Sequence, residues 1–310
     1  MSIPGGRAMA LHVLGVVPLT VAALIALPIC AKAAEAAAKD PNSKTASDAL
    51  AIEVGGAVMS DYIYRGVSLS ARRPSAASYF DIDWQGFYVG ANIQSVKLPT
   101  NPAAEITLSS GFRHNVAGYD LDLGVNYFYY PGEVPTGTTT KTNYWELFLG
   151  GEREFKRVSF FDKITFNGLT AYSPDVSATG AWGAYAEGQV TIDLPQMGLP
   201  QDLSFQLQVA AGYWRFGKTS PAQGGFEMPS YGNWHASLLF WYKENVSFEL
   251  GYYDTSLSKE DCFVLTGDPM ATPGGATNPI SNPEGLRSRL CSATLLGRFS
   301  FYLEPLKSLK

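Results

Sequence analysis

The sequence predicts an all-β fold, a transmembrane antiparallel up-and-down β-barrel of about 12 strands. Apolar and polar residues alternate with a period of two in most segments from Ile52 onward. The connections between these segments alternate between short and long. Beyond the N-terminal region, no stretch is long and apolar enough for a membrane helix. Together these observations indicate a closed barrel. Apart from the α-helix, it is the structure in which every backbone N–H and C=O group in a bilayer has a hydrogen-bond partner.

The clearest strand is the stretch from Tyr119 to Tyr129, where the odd-numbered residues are Tyr, Leu or Val. Asp120, Asp122 and Asn126 lie on its opposite face, because successive side chains of a strand point to opposite sides. The same pattern recurs in about 12 segments. They lie near 52–60, 78–84, 87–96, 104–113, 119–130, 143–153, 163–173, 182–192, 203–216, 232–242, 246–257 and 289–303.

Short connections follow every second segment, such as Gln85-Gly86 and 243–245, and longer ones fill the other gaps. An even number of strands with short turns at one end is typical of outer-membrane barrels, with both termini on the periplasmic side. The alternative is a soluble antiparallel sandwich or barrel. Aromatic residues near predicted strand ends favour the membrane, because Tyr and Trp prefer its interfaces. They are Tyr127, Phe128, Tyr129, Tyr130, Trp145, Tyr172, Trp182, Tyr213, Trp214, Trp241, Tyr242, Tyr252 and Tyr253.

The N-terminal region has the features of a secretory signal peptide. An apolar run ends at Cys30 and is followed by the small-residue site Ala31-Lys32-Ala33, so we expect residues 1–33 to be removed. An uncleaved membrane anchor is the alternative. We expect residues 34–50 to form a flexible periplasmic leader. The barrel is expected over residues 51–303, followed by a C-terminal tail at 304–310. The expected location is therefore the cell outer membrane.

Charge and cysteine content narrow the function further. The net charge of −5, without a basic cluster, argues against nucleic acid as a partner. Once Cys30 leaves with the signal, Cys262 and Cys291 remain. An even pair in an exported protein predicts a disulfide, which would fasten the base of a long loop at the rim, and two free buried thiols are the alternative.

The polar faces of the strands predict which side chains line the lumen. The parity of the first strand places Tyr62 and Tyr64 toward lipid, and Asp61 and Arg65 in the outer mouth. Arg65 either lines the mouth or pairs with a carboxylate of a neighbouring strand. An acidic balance of inward charges favours mild cation preference. The other inward candidates are Glu105, Arg113, Asp120, Asp122, Glu146, Glu152, Glu187, His235, Glu249 and Arg298.

The sequence contains no motif for catalysis, for a cofactor or for a metal ion. It has no HExxH, CxxC, Walker loop or dinucleotide fingerprint. Beyond the signal peptide only His114 and His235 remain, and no nucleophile–base pair is marked. His235 is better explained as a satisfied histidine of the lumen. We therefore expect a non-enzymatic protein without a cofactor.

Four motifs carry a resemblance to a known family: SDYIYRGVS (60–68), GFYVG (86–90), YYPG (129–132) and GYYDT (251–255). With them the chain resembles the TorF-type porins of Gram-negative bacteria over about residues 52–303. The resemblance implies an outer-membrane β-barrel that acts as a pore, without an established substrate. Barrels of this kind usually end on an aromatic residue that the barrel-insertion machinery reads, whereas here Leu303 to Lys310 follow Tyr302.

The sequence therefore predicts a porin-like channel for passive diffusion of small hydrophilic solutes or ions. Twelve strands lie between filled eight-stranded barrels and open sixteen-stranded pores, so we expect a narrow passage, with constriction by the 258–288 loop. A plugged structural or adhesive barrel is the first alternative, and an outer-membrane barrel enzyme is the second. The expected partners are outer-membrane lipid, the solutes and the insertion machinery, and the oligomeric state stays open.

Overall fold

The computed structural model describes residues 50–134, 141–195, 198, 200–268, 271 and 286–307. The predicted signal peptide, nearly all of the predicted leader, and residues 308–310 of the predicted tail lie outside the described residues. In the described part of the chain, no helix has the length and apolar character needed to cross a bilayer.

Fourteen strands are present in the described residues. Twelve of them follow the predicted segments closely, and the two-residue strands lie outside those segments. The strands are β1 Ala51–Met59, β2 Ile63–Tyr64, β3 Val67–Ser68, β4 Ser75–Trp84, β5 Phe87–Gln94, β6 Glu105–Val116, β7 Tyr119–Tyr129, β8 Tyr144–Val158, β9 Phe161–Ser173, β10 Gly183–Asp193, β11 Leu203–Phe216, β12 Tyr231–Tyr242, β13 Val246–Thr255 and β14 Thr294–Lys307. The last strand extends to Lys307, beyond its predicted end at residue 303.

Twelve of these strands close into one antiparallel barrel, as the sequence predicts. Each of β4 to β13 pairs with the next strand in the chain, and β1 pairs with both β4 and β14. No edge is left unpaired, which is what closure achieves for a sheet. The two-residue strands β2 and β3 pair only with each other. They belong to the first long connection, residues 60–74.

The two ends of the barrel differ in their connections. Gln85-Gly86, Ala117-Gly118 and Ser159-Phe160 make tight turns at one end, which we call the short-turn end. The long connections lie at the other, the long-loop end. The last of these contains the helix α1, Lys259–Thr266. Ser258 caps its N-terminus, because the Ser258 hydroxyl accepts a hydrogen bond from the Asp261 N–H.

The barrel wall has two chemically distinct faces. On β7 the odd-numbered residues from Leu123 to Tyr129 are exposed on the outside, and Asp122, Asn126 and Phe128 are buried inside. The outside is apolar around the barrel: Leu123 is 60 % exposed and Leu250 is 52 % exposed. The inside holds most of the buried charged and polar residues, including Glu105, Glu146 and Glu249. The alternation read from the sequence therefore corresponds to the outer and inner faces.

Candidate functional site

The candidate site is a hairpin that the chain inserts into its own barrel. After Met59 the chain leaves the wall, and β2 and β3 form a hairpin whose turn is Arg65-Gly66. Both turn residues have positive φ, 49° and 82°, as a two-residue hairpin turn of type I′ requires. A side chain on Gly66 would lie within 3 Å of Thr255 and Asn233 of the wall. Glycine therefore allows both the turn and the close approach. We call residues 60–74 the inner hairpin.

Hydrogen bonds to Asp61 stabilise the base of the inner hairpin. The Asp61 Oδ1 accepts hydrogen bonds from the hydroxyls of Ser68 and Ser70, at 2.6 and 2.7 Å. The Tyr62 N–H donates to the Ser70 hydroxyl at 2.9 Å. Burial raises the pKa of Asp61 above its ordinary value, although the two serine hydroxyls act in the opposite direction. These bonds hold the two arms of the hairpin together before they reach the lumen.

The tip of the inner hairpin carries Arg65 to the opposite wall. Its guanidinium donates two hydrogen bonds to Glu146 of β8, at 2.8 Å to Oε1 and 2.9 Å to Oε2. The side chains of this pair are only 4 % and 2 % exposed. The Arg65 carbonyl accepts a hydrogen bond from the Tyr231 hydroxyl at 3.1 Å. A two-pronged, desolvated pair of this kind fixes both position and orientation.

Aromatic rings surround the same guanidinium. Its central carbon lies 4.2 Å from the ring centre of Tyr185 and 4.3 Å from that of Trp214, both on the wall. The Tyr64 ring, on the hairpin itself, is 4.8 Å away. Burial opposes the charge of Arg65, but the Glu146 carboxylate outweighs it, so the pKa of Arg65 lies well above its ordinary value. Arg65 is therefore a permanent cation in an aromatic box with one carboxylate.

Two more carboxylates lie at this end of the lumen. Glu105, 1 % exposed, accepts a hydrogen bond from Tyr62 of the hairpin at 2.7 Å and one from Tyr130 at 2.8 Å. The Tyr185 hydroxyl donates to Glu187. The wall around the hairpin tip is therefore acidic, and Arg65 is the cation that the hairpin brings to it.

The last long connection holds the inner hairpin from the side. The Ser68 N–H donates to the Leu290 carbonyl at 2.8 Å, and Arg72 Nε donates to the Arg289 carbonyl at 2.8 Å. The predicted disulfide between Cys262 and Cys291 is present, and both cysteines are buried among apolar residues of the hairpin and loop. The disulfide joins α1 to the segment that contacts the hairpin, so it fastens more than the loop base.

A second group of charges lies toward the short-turn end. Arg113 of β6 is within 3.2 to 3.4 Å of carboxylate oxygens of Asp81, Asp83 and Asp122. Its central carbon lies 3.8 Å from the ring centre of Tyr88. Asp120, next to the turn, accepts a hydrogen bond from Asn115. We call Arg113 with its three carboxylates the lower charge cluster.

The remaining predicted inward residues also lie on the inner face. Glu249 accepts hydrogen bonds from Ser237 and Tyr253 and pairs with Arg298 at 2.6 Å. His235 stacks on the Tyr253 ring, and its Nε2 is 3.3 Å from Gln208 Oε1. Glu152 of β8 lies opposite Asp120 of β7 in the backbone register of these two strands. The Ser237 hydroxyl donates to Glu249 rather than to His235, so these residues do not form a nucleophile–base arrangement.

The structure corrects the prediction for the first motif. Tyr62 and Tyr64 do not face lipid: Tyr62 is 7 % exposed and bonded to Glu105, and Tyr64 packs edge-on against Phe128 and Trp214. The parity argument failed because it assumed that β1 continues past Met59, whereas the chain turns inward there. Of the two alternatives for Arg65, the salt bridge is the one observed, and it crosses the lumen instead of joining neighbouring strands.

One further expectation is also corrected. Five of the aromatic residues assigned to the membrane interface lie on the inside instead: Phe128, Tyr130, Trp214, Trp241 and Tyr253. Residues 269–270 and 272–285 of the 258–288 loop lie outside the described residues, so the constriction expected from this loop stays a prediction. The inner hairpin is the element that the described residues place in the lumen.

Sequence reasoning missed Tyr185 and Trp214 as functional candidates. A signal was available, because Trp214 shares its parity with Gln206 and Gln208, and Tyr185 shares its parity with Glu187 and Gln189. Large aromatic rings on the polar face of a strand indicate that something packs against them inside the barrel. The partner itself could not be read from that pattern. Within the described ranges, no group of three or more His, Cys, Asp or Glu residues is placed to hold a metal ion.

Comparisons with known proteins give a family and a set of similar barrels. The family model described as "Bacterial protein of unknown function (Gcw_chp)" matches residues 43–267. A search of curated proteins found no match. Among solved structures, "KdgM porin" has a TM-score of 0.40 and 7 % identity, covering 81 % of this chain and 97 % of that one.

Two other solved structures are similar to the same extent. "LpxR from Salmonella typhimurium" has a TM-score of 0.39 and 8 % identity, covering 81 % of this chain and 99 % of that one. OmpT, "an outer membrane protein of Vibrio cholerae", has a TM-score of 0.36 and 11 % identity, covering 83 % and 98 %. At these TM-scores the likenesses carry no argument about what this chain does.

Proposed function

The chain belongs to the Gcw_chp family of bacterial proteins of unknown function, and from its own geometry we propose an outer-membrane channel for small hydrophilic solutes, narrowed by the inner hairpin. The observation that carries this proposal is a closed barrel with an apolar outside and a charged inside, into which the chain folds its own hairpin. The TorF-type resemblance of residues 52–303 agrees with this proposal.

The outer face supports insertion into a membrane. Large apolar side chains are exposed around the barrel, for example Phe80 at 46 %, Leu147 at 50 % and Leu295 at 78 %. In water, an apolar surface of this extent would drive aggregation, whereas lipid chains would cover it. Lipid of the outer membrane and the barrel-insertion machinery are therefore the proposed partners on this side.

The inner face supports a passage for polar solutes rather than a solid core. Toward the short-turn end, the side chains of Arg113 and Asp83 are 18 % and 24 % exposed, so solvent reaches this part of the lumen. Toward the long-loop end, the inner hairpin crosses the lumen and its Arg65 reaches the opposite wall. The proposed channel is thus open on one side and constricted on the other.

Charge on the inner face supports mild cation preference. The carboxylates of Glu105, Glu146, Glu187 and Glu249 line the wall, against fewer inward bases. Hydrogen bonds within the wall engage the hydroxyl of Ser237 and the ring of His235. We propose that these groups set the electrostatics of the passage and perform no chemistry.

Conductance across planar lipid bilayers tests this function directly. The full chain would be purified from the outer-membrane fraction and compared with a variant in which residues 60–74 are replaced by Asn-Gly. Met59 and Ser75 are paired neighbours on β1 and β4, so a two-residue hairpin turn can join them. We expect the shortened variant to conduct at least several-fold more than the full chain, with a reversal potential that shows cation preference.

A matched control is to remove residues 222–225, an exposed turn of another long loop, which should leave conductance unchanged. A full chain and a shortened variant that both stay silent, although folded by circular dichroism and gel mobility, would reject the channel. That outcome would favour the second candidate, a plugged structural barrel. The specific observation behind this candidate is that the hairpin donates hydrogen bonds to the buried carboxylates of Glu105 and Glu146.

A further inference from the structure

We propose that the aromatic box at the hairpin tip is a binding site for a small solute that carries a guanidinium group, and that Arg65 occupies it as a built-in competitor. The site on the wall consists of Glu146, Tyr185 and Trp214. The inference rests on the proposed channel, because a solute must enter the lumen to reach this wall. It names the class of solute that the channel would recognise.

The geometry of the contact selects a guanidinium over other cations. Two nitrogens of Arg65 donate to the two oxygens of one carboxylate, at 2.8 and 2.9 Å. This paired geometry requires a planar fork of N–H groups, which an ammonium group lacks. The rings of Tyr185 and Trp214 lie at cation–π distance from the same group. A free guanidinium in this position would make the same contacts.

The burial of Glu146 explains why a cation is favourable at this site. Glu146 is about 1 % exposed, and Arg65 is its ion-pair partner at 2.8 Å. A buried carboxylate without a partner is strongly unfavourable. If the inner hairpin withdraws, Glu146 loses Arg65, and a cation from solution can take the place of the guanidinium. Opening of the passage and binding of the solute are therefore coupled.

The origin of Arg65 distinguishes it from an ordinary wall residue. Arg65 comes from a two-residue turn of an inserted hairpin, whereas Glu146, Tyr185 and Trp214 belong to β8, β10 and β11 of the barrel. Withdrawal of the hairpin would leave the three wall residues in place, because their strands are paired on both sides. The site thus exists independently of its present occupant.

Calorimetric titration of the full chain in detergent micelles tests the inference. The variant R65A empties the box, and methylguanidinium is the probe. We expect R65A to bind methylguanidinium at least about tenfold more tightly than the unmodified chain, because the competitor is gone. Urea, planar but uncharged, should not bind, and methylammonium should bind more weakly than methylguanidinium.

Two variants serve as controls. R65A/E146Q removes both charges, so it leaves no unpaired buried charge and is expected to fold, but it should lose the binding. R65K refills the box with a cation and should bind no better than the unmodified chain. Equal affinity of R65A and the unmodified chain would overturn the proposal, as would undiminished binding by R65A/E146Q. Binding by a barrel that never conducts would instead reject the channel and leave the site standing.

Discussion

Arg65 and Arg113 use the same chemistry at opposite ends of one lumen, yet the chain delivers them differently. Each guanidinium lies over aromatic rings and beside carboxylates. Arg113 projects from a wall strand, is 18 % exposed and shares three carboxylates at 3.2 to 3.4 Å. Arg65 sits on an inserted turn, is 4 % exposed and has a single carboxylate at 2.8 Å.

The difference separates a fixed charge from a removable one. Arg113 belongs to β6 of the wall, and its charge is shared by the buried Asp122 and the partly exposed Asp81 and Asp83. Arg65 can leave as the inner hairpin moves, and its departure would expose one buried carboxylate without compensation. At the long-loop end of the lumen, movement of the inner hairpin would therefore change both the width of the passage and the charge of its wall.

The largest expected difference follows from neutralising one carboxylate at each end. E146Q leaves Arg65 buried without its partner, and we expect a loss of about 3–5 kcal/mol of stability. D83N leaves Arg113 with Asp81 and Asp122 in a partly hydrated position, so we expect about 1 kcal/mol or less. Urea unfolding in micelles, followed by tryptophan fluorescence, measures both. Equal losses in the two variants would show that the two clusters are equivalent.

A somewhat smaller effect is expected from the disulfide. Cys262 and Cys291 are 29 residues apart, so loss of the bridge in C262S/C291S releases loop entropy worth about 3–4 kcal/mol. Since the Leu290 carbonyl accepts from the Ser68 N–H, we expect hydrogen exchange to accelerate in the inner hairpin. Exchange around Arg113 on β6 is the internal control and should not change. Unchanged exchange in the hairpin would show that the loop does not hold it.

The smallest expected effect concerns pH and Asp61. Its pKa in the folded protein is raised, so docking of the hairpin is most favourable while Asp61 is protonated and weakens as the pH rises through that pKa. D61N imitates the protonated form. We expect its hairpin to be better protected from hydrogen exchange than that of the unmodified chain at pH 8, with the difference shrinking toward pH 4. Protection lower than that of the unmodified chain at pH 8 would contradict this sign.

The strands could be predicted because period-two alternation is a local property. The segment Leu203–Phe216 has the predicted bounds, and Glu105, Glu146 and Glu249 lie on the predicted inner face. The inner hairpin could not be predicted in this way. Its decisive contact joins Arg65 to Glu146, 81 residues away, and nothing near Met59 shows that the chain turns into the lumen after it. The inward aromatic residues Tyr185 and Trp214 were the available sign.

The contacts of the inner hairpin also bear on how the barrel is assembled. Arg65 bonds to residues 81 and 166 positions further along the chain, and Arg72 to one 217 positions away. Contacts of such high contact order form only after long loops have closed. The inner hairpin is the first long connection to be synthesised, yet Arg72 also donates to the carbonyl of Ser292, two residues before the final strand. Docking of the hairpin is thus expected late in folding, after the first and last strands of the barrel have paired.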